Sequence, residues 1–309
     1  MPSRHRTAVG WFADQPYLLL SLTAMFWGGN VVIGRAVAGH VPPIALAQTR
    51  WGLAFLIVLP FAWPHLARDA AAIVRHWKIL AVLSFSGIAV YNTLSYIGLQ
   101  QTTAINGLLI QSAMPLMIGF WSLVLFRDRL TAWQLAGITT SLVGVATIVL
   151  RGDLEALATF ALNPGDLILL VGVVVYSFYS ALLKRRPPMH PLSFLAVTLG
   201  LGAAMLLPGF LWEMSTGFVL SGDLATLAAI VYVALFASVI AYLFFNRGVE
   251  LIGPNRAGPF FHLVPVFGSA LAILLLGERP HWYHGVGYAL ILSGIALAQL
   301  GRRRRPGGV

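Results

Sequence analysis

The sequence predicts an all-α integral membrane protein with ten transmembrane helices, arranged as two inverted five-helix repeats with both termini in the cytoplasm (N-in/C-in). Three observations carry this prediction: an apolar composition, long stretches without charge, and an internal duplication. Of the 309 residues, 58% are hydrophobic and 10% are charged, and the mean hydropathy is +0.82. Soluble domains have roughly 25% charged residues, so this chain belongs in a bilayer.

Charged residues divide the chain into long uncharged spans. A helix needs about 20 mostly apolar residues to cross the hydrocarbon layer, so the uncharged stretch 79–126 must cross twice. We expect helices and not a barrel, because the apolar runs are continuous and do not alternate. A cleaved signal peptide over residues 1–38 is the competing interpretation. The predicted helices are 16–38, 43–63, 78–98, 103–126, 132–150, 164–184, 191–212, 224–246, 255–277 and 282–301.

The segment 98–151 recurs at 248–301, displaced by 150 residues without a gap. Matches on glycine, proline and an acid-base pair are hard to obtain from apolar composition alone, so the pattern indicates an internal duplication. The first helices of the two copies also correspond, more weakly, at a displacement of 149. The paired residues include Gly98 and Gly248, Pro115 and Pro265, Asp128-Arg129 and Glu278-Arg279, Gly137 and Gly287, and Gly144 and Gly294.

Five helices per repeat is an odd number, so the second copy enters the membrane from the opposite face. Inverted repeats are typical of secondary transporters, whose substrate site lies near the midplane between the halves. Most Lys and Arg residues fall on the predicted cytoplasmic side, and only Arg35, Arg151 and Arg279 lie on the other side. The predicted organisation is a first repeat at 16–151, a connecting loop at 152–163, a second repeat at 164–301 and a basic cytoplasmic tail at 302–309.

Three motifs resemble the EamA-type proteins of the drug/metabolite transporter (DMT) superfamily, and the resemblance covers nearly the whole chain. It is most similar to the YddG-type exporters of aromatic and other neutral amino acids. The resemblance implies a ten-helix carrier of small metabolites in the inner (cytoplasmic) membrane. The first copy departs from the pattern, since Arg127 stands where the second has Gly277. The motifs are Phe26-Trp27-Gly28-Gly29-Asn30, Pro115 followed by Phe126-Arg127-Asp128-Arg129-Leu130, and Pro265 followed by Leu276-Gly277-Glu278-Arg279.

Polar and aromatic side chains deep in the predicted spans are the candidates for a substrate cavity. A polar group facing lipid is unfavourable, so such residues face another helix or a water-filled space. Ordinary helix packing is the alternative interpretation for each of them. The candidate cavity residues are Trp27, Asn30, Tyr91, Asn92, Tyr96, Gln111, Tyr176, Tyr179 and His262, and the candidate gating kinks are Pro115, Pro259 and Pro265.

Arg50 lies inside the second predicted helix, roughly 10 Å from its start at Pro43. Three interpretations are open: its side chain snorkels outward, it pairs with a carbonyl at a helix end, or it is the counter-ion of a substrate carboxylate. All ten Asp and Glu residues fall in predicted loops or near span ends. Because proton-coupled carriers commonly use an embedded carboxylate, we predict uncoupled export or coupling through His262, whose imidazole titrates near neutral pH.

Other functional classes lack their sequence signatures. The chain has no cysteine and its eight histidines are scattered, so we expect no metal, no cofactor and no enzyme active site. The net charge of +10 comes from short clusters between spans, which fits a membrane surface better than nucleic acid. The predicted partners are a small neutral or zwitterionic substrate and the lipid bilayer. The sequence leaves the oligomeric state open, and a monomer is compatible with it. An uncoupled channel or facilitator for small polar solutes is the alternative, and a membrane-embedded enzyme a more distant one.

Overall fold

The computed structural model of the protein describes residues 12–127, 131–153, 162–217, 220–252 and 258–303. Within these ranges the chain forms helices joined by turns, which confirms the all-α prediction. Among the described residues, eight helical segments are long and apolar enough to cross a membrane, and two shorter apolar helices follow them. Asp128, Arg129, Arg256 and residues 304–309 of the predicted tail lie outside the described residues.

The helices are numbered in chain order, and α9 is preceded by a short 3-10 helix, Gly258–His262. Their bounds are α1 Pro16–Ala36, α2 Pro43–Arg75, α3 Trp77–Leu99, α4 Ala104–Phe126, α5 Ala132–Val149, α6 Pro164–Arg185, α7 Pro191–Ser215, α8 Leu224–Ile252, α9 Leu263–Leu276 and α10 Trp282–Arg303.

Helix starts follow local sequence signals. The Thr131 side chain accepts a hydrogen bond from the backbone N–H of Gln134, whose own side chain accepts one from Thr131, so α5 begins with a capping box. The Asn163 side chain caps α6, and proline occupies the first helical position of α6, where its missing N–H costs nothing. These caps satisfy backbone donors that lipid cannot satisfy.

Helix α2 is the largest departure from the predicted boundaries. It was expected to end at residue 63, yet it continues through Pro60 and Pro64 to Arg75 and is 33 residues long. The prediction placed a boundary where the apolar run ended. The helix instead extends into a charged segment, where the carboxylate of Asp69 accepts a hydrogen bond from the backbone N–H of His190 at 2.9 Å.

Backbone irregularities repeat at the displacement found in the sequence. A π-helical segment at Ser84–Val90 in α3 has its counterpart at Tyr232–Ile240 in α8, and the last residues coincide at a displacement of 150. The left-handed residues that end α4 and α9, Arg127 (φ 55°) and Gly277 (φ 66°), are also 150 apart. Arg127 therefore adopts a conformation that is costly for a side chain and easy for glycine.

Helices α5 and α10, the last helices of the predicted repeats, pack backbone against backbone. A Cβ atom added to Gly144 would lie 2.6 Å from the carbonyl oxygen of Gly287, and one added to Gly287 would lie 2.8 Å from that of Gly144. Gly294 approaches the carbonyl of Gly137 in the same way. Because low numbers on one helix meet high numbers on the other, the two helices run antiparallel. Small residues permit this close approach in lipid.

The first helix of each predicted repeat packs on the opposite repeat. Helix α1 lies on α8 and α9: Trp27 Nε1 donates to the carbonyl of Ala237 at 3.2 Å, and Gly28 touches the backbone of Gly268. Helix α6 lies on α3 and α4: Gly165 meets the carbonyl of Gly98, and Trp121 donates to the carbonyl of Val174 at 3.0 Å. Each half therefore contacts the first helix of the other half, so the residues of a single site can come from both halves.

Candidate functional site

Arg50 is the centre of a buried polar cluster formed by α1, α2, α3 and α8. Its side chain is 4% exposed. Nη1 donates to Asn30 Oδ1 at 2.8 Å, to Asn92 Oδ1 at 2.9 Å and to the Tyr96 hydroxyl at 2.9 Å. Nε donates to Ser238 Oγ at 2.8 Å. The snorkelling interpretation of Arg50 is therefore wrong, and so is pairing with a helix-end carbonyl, because these partners are side-chain oxygens.

The partners of the Arg50 guanidinium are neutral. Ion pairs within the described ranges join His40 to Asp223 and Arg247 to Asp14 and Glu250, and do not include Arg50. The indole of Trp51 lies 4.3 Å from the guanidinium carbon, which adds a cation–π contact. The cluster thus solvates a buried cation with dipoles and leaves its charge without a counter-ion in the described part of the chain.

The π-helical segment of α8 contributes Ser238 to this cluster. Ser238 lies in the π-helical segment Tyr232–Ile240, and its hydroxyl donates to the carbonyl of Val233, five residues earlier, at 2.8 Å. The extra residue in such a turn frees a carbonyl and rotates the following side chains. Ser238 is therefore able to satisfy the local backbone with its proton and Arg50 with its oxygen.

A tyrosine pair and an amide form one wall beside Arg50. The rings of Tyr91 and Tyr176 are 4.4 Å apart, and Tyr179 lies 5.5 Å from Tyr176. The Tyr91 hydroxyl donates to Gln111 Oε1 at 3.2 Å. Gln111 Nε2 is buried and has no hydrogen-bond partner among the described residues. An unpartnered buried donor is unfavourable, so this atom marks a place where an acceptor is missing.

Trp27, on α1, belongs to a second aromatic group with residues of α8 and of the 3-10 helix before α9. Its ring lies 5.2 Å from Phe261, 5.5 Å from Phe245 and 6.1 Å from Tyr242. Trp27 precedes Asn30 by one helical turn on α1, and Tyr91 is the chain neighbour of Asn92; both asparagine side chains accept from Arg50. One aromatic group is thus contributed mainly by α3 and α6, and the other by α1, α8 and the 3-10 helix before α9.

His262 and the three prolines lie at the helix interruptions. The backbone carbonyl of His262 accepts a hydrogen bond from the Tyr288 hydroxyl at 3.1 Å, and its half-buried side chain is not joined to Arg50 by the contacts above. Helix α4 is interrupted at Ser112–Ala113, just before Pro115. Pro259 lies in the 3-10 helix before α9, and Pro265 is buried in the first turn of α9. Their role in gating stays a prediction.

Sequence reasoning missed three contributors to this region, and elsewhere it missed the burial of Asp166. Ser238 and Trp51 carry no signal that separates them from ordinary helix residues. Tyr242 had one, because it stands 150 residues after Asn92 and the duplication relates the two positions. Asp166 was correctly placed near a span end, but its burial was not foreseen: it is 0% exposed. The Asp166 carboxylate accepts hydrogen bonds from Thr102 at 2.5 Å and from Asn106 at 3.1 Å.

Carboxylates tie helix ends together on the predicted extracytoplasmic side. Glu213, at the end of α7, accepts hydrogen bonds from the backbone N–H groups of Ile44 and Ala45 at 3.1 and 2.6 Å. Glu278 accepts from those of Ala104 and Ile105 at 2.7 and 3.0 Å. Each carboxylate meets the positive end of a helix dipole and satisfies donors that the helix leaves unpaired.

Asp223 shows the clearest electrostatic effect outside the spans. Hydrogen bonds from the Ser221 hydroxyl, from the backbone N–H of Thr226 and from His40 lower the pKa of Asp223 well below its usual value. Asp223 is the N-cap of α8 and lies 2.8 Å from His40 Nε2. Because it stays ionised at neutral pH, Asp223 serves as a helix cap and a link to the α1–α2 turn.

Two open clefts lie away from Arg50. One, of about 480 Å³, is apolar and is lined by side chains of α2, α3 and α7 that include Phe55 and Trp77. The other, of about 540 Å³, lies among helix ends and is lined by residues that include Arg35, Gln100 and Glu278. Neither cleft is lined by a predicted cavity residue, so the interior cluster around Arg50 is separate from both.

Comparison with known proteins places the chain in a family. Residues 15–150 and 163–300 each match the EamA-like transporter family. The chain is 28% identical over 290 residues to "Uncharacterized transporter YyaM" of Bacillus subtilis, covering 91% of this chain and 92% of that protein. It is 25% identical over 295 residues to "Probable amino-acid metabolite efflux pump" of Escherichia coli, covering 93% and 96%.

A protein of Salmonella typhimurium with the same name, "Probable amino-acid metabolite efflux pump", is 26% identical over 295 residues, covering 93% of this chain and 95% of that protein. A solved structure titled "Crystal structure of protein" aligns with a TM-score of 0.62 at 21% identity, over 93% of this chain and 98% of that chain, so the two share their fold. The family match extends over most of the chain and occurs twice. The chain belongs to the EamA-like transporter family and is a multi-pass membrane transporter.

Proposed function

We propose that this transporter is an alternating-access carrier that exports small neutral or zwitterionic metabolites, amino acids including aromatic ones, across the inner membrane. The observation that carries the proposal is the Arg50 cluster, in which polar and aromatic side chains from both predicted halves surround one buried position. Aromatic walls with a few oriented polar groups suit a small amphipathic solute. The names of the two efflux-pump relatives point to the same substrate class.

The packing of α5 and α10 supports the inverted-repeat architecture. Gly144 meets Gly287 and Gly137 meets Gly294, and the displacement of 150 exchanges these two contacts with each other. Equivalent helices that meet antiparallel are related by a twofold axis perpendicular to their length. For helices that cross a bilayer, such an axis lies in the membrane plane, as in carriers whose halves rock about a central site.

Counterflow distinguishes a carrier from the channel alternative. Proteoliposomes preloaded with unlabelled phenylalanine or leucine should accumulate the labelled amino acid transiently, because a carrier exchanges substrate across its single site. A channel would equilibrate the label without this overshoot and would show single-channel conductance. Liposomes without protein are the control. Absence of overshoot for every amino acid in a panel of the twenty standard ones would overturn the proposed function.

Gln111→Leu is expected to lower the counterflow rate at least tenfold, because it removes the amide that partners Tyr91 and the buried unpaired donor. Gln101→Leu makes the same chemical change at an exposed turn and should leave the rate within about twofold. Size-exclusion chromatography and the melting temperature check that both variants fold. Equal rates for the two variants would remove Gln111 from the cavity.

Energy coupling is tested by adding a pH gradient to the same proteoliposomes. We expect either no acceleration, as for uncoupled export, or an acceleration that disappears in His262→Ala, because an imidazole is suited to carry protons near neutral pH. Tyr288→Phe removes the contact with the His262 carbonyl without changing the imidazole, and should retain any acceleration. Strong acceleration that survives His262→Ala would contradict both versions.

A further inference from the structure

Within the proposed function, we propose that Arg50 binds the carboxylate of the transported substrate and restricts transport to solutes that carry one such group. The inference goes beyond a neutral or zwitterionic carrier, because it names the chemical group that the site requires. It rests on three features of the described residues: an uncompensated buried cation, a second donor without an acceptor, and aromatic surfaces beside both.

The buried charge is the first feature. A guanidinium taken out of water loses its solvation, and a close carboxylate or well-oriented dipoles must replace it. Asn30, Asn92, Tyr96 and Ser238 return part of it as neutral acceptors. These bonds use Nε and Nη1, so the two N–H donors of Nη2 lie outside the network. An arriving carboxylate supplies both the missing countercharge and acceptors in the planar geometry that Arg matches.

The second donor is the Gln111 amide. Its oxygen accepts from Tyr91, and its buried nitrogen has no partner in the described part of the chain. Tyr91 is the chain neighbour of Asn92, whose side chain accepts from Arg50. The lining beside Arg50 therefore offers donors in excess of acceptors, which favours a ligand rich in acceptor oxygens.

The substrate charge is limited to one carboxylate by what surrounds Arg50. The hydrogen bonds and aromatic contacts of the cluster bring no second Lys or Arg to it within the described ranges. A second anionic group would therefore be buried without a partner, which is strongly unfavourable. The rings of Tyr91, Tyr176 and Trp27 offer apolar faces to the remainder of the solute and a cation–π surface to an ammonium group.

The test compares amino acids with their carboxamides, in which a neutral amide of similar shape replaces the carboxylate. Binding of phenylalanine, leucine, phenylalaninamide and leucinamide to the purified, detergent-solubilised protein is measured by thermal shift and isothermal titration. For whichever pair binds, the acid should bind at least tenfold more tightly than the amide. The comparison needs no variant, so a folding defect cannot obscure it.

Asn92→Asp provides the decisive variant. The change is isosteric and puts a permanent carboxylate within 2.9 Å of Arg50 Nη1, so the guanidinium is already paired when the substrate arrives. Affinity for the acid should fall at least tenfold, affinity for the amide should stay within about threefold, and the protein should remain folded. Asn246→Asp, at an exposed position near the end of α8, is the matched control and should bind as wild type does.

The outcomes separate this inference from the proposed function. If acids and amides undergo counterflow equally well, or if Asn92→Asp binds the acid as tightly as wild type, Arg50 is a structural tie and the inference is wrong while the carrier stands. If neither class undergoes counterflow, the proposed function itself fails. Glutamate binding as tightly as leucine would contradict the restriction to a single carboxylate.

Discussion

Gly287→Val should strongly destabilise the protein, with a loss of about 3 kcal/mol or more in the free energy of unfolding. A Cβ at this position would lie 2.8 Å from the carbonyl oxygen of Gly144 and 2.5 Å from Ile148, so the α10 backbone must move away from α5. Overpacking costs about 1–3 kcal/mol even where side chains can adjust, and here one obstacle is backbone. The melting temperature in detergent should fall by roughly 5–10 °C.

Gly285→Val is the matched control on the same helix. It lies two residues away, is exposed, and has no atom within 4 Å of its added Cβ. We expect a change within about 0.5 kcal/mol, the size of ordinary surface substitutions. The duplication adds a sharper requirement: Gly144→Val, the other half of the contact, should cost about as much as Gly287→Val. A large effect at Gly285, or a small one at both Gly144 and Gly287, would contradict the backbone contact between α5 and α10.

Asp166→Leu should be the second strongly destabilising change, at about 3 kcal/mol. The substitution leaves the buried Thr102 hydroxyl without its acceptor and removes the carboxylate from the Asn106 amide, which keeps only a 3.3 Å hydrogen bond to Thr102 Oγ1. An unpaired buried donor costs about 1–3 kcal/mol. Asn106 also contacts His284 Nε2 at 2.8 Å, so the loss extends to α10. Asp166→Asn retains the shape and one acceptor and should cost less. Glu250→Gln, at an exposed carboxylate paired with Arg247, is the control and should be nearly neutral.

A double-mutant cycle shows whether these losses share one origin. If Asp166 acts through Asn106, the variant with both residues changed to leucine should be more stable than the sum of the single effects predicts, by at least about 1 kcal/mol.

The pH dependence of transport gives a second test of the role of Asp166. The titratable and charged groups near Asp166 are Arg151, Tyr283 and His284. If Asp166 only holds the helix ends together, none of these groups has to gain or lose a proton during transport. The pH profile of counterflow should therefore be the same in Asp166→Asn and wild type; a lost pH dependence would make Asp166 a proton carrier.

Most helix positions could be predicted because lipid permits few backbone states. A run of about 20 apolar residues must be helical to satisfy its own hydrogen bonds, so charge spacing alone located the helices. The prediction was wrong at the end of α2, where Arg68, Asp69 and Arg75 continue the helix beyond the apolar run. Charge marks the end of the hydrocarbon layer and not the end of a helix.

The candidate site was predictable in part. Asn30, Asn92 and Tyr96 are polar residues in apolar spans, and the structure brings all three to Arg50. Periodicity could not say that α1 packs on α8, so Ser238 went unnoticed. The π-helical turn that presents Ser238 also escaped prediction, because its backbone depends on neighbouring helices and not on residue preference.

By itself the sequence determined the membrane class, the helix-rich architecture, the duplication and the transporter family, because these follow from hydropathy, spacing and motif residues that act locally or repeat. Only the tertiary structure decided that Arg50 is buried among neutral acceptors, that Asp166 is inaccessible, and that each first helix packs on the opposite repeat. Those facts depend on which helix faces meet, and in lipid every apolar face is an equally acceptable surface, so hydropathy carries no information about the partner.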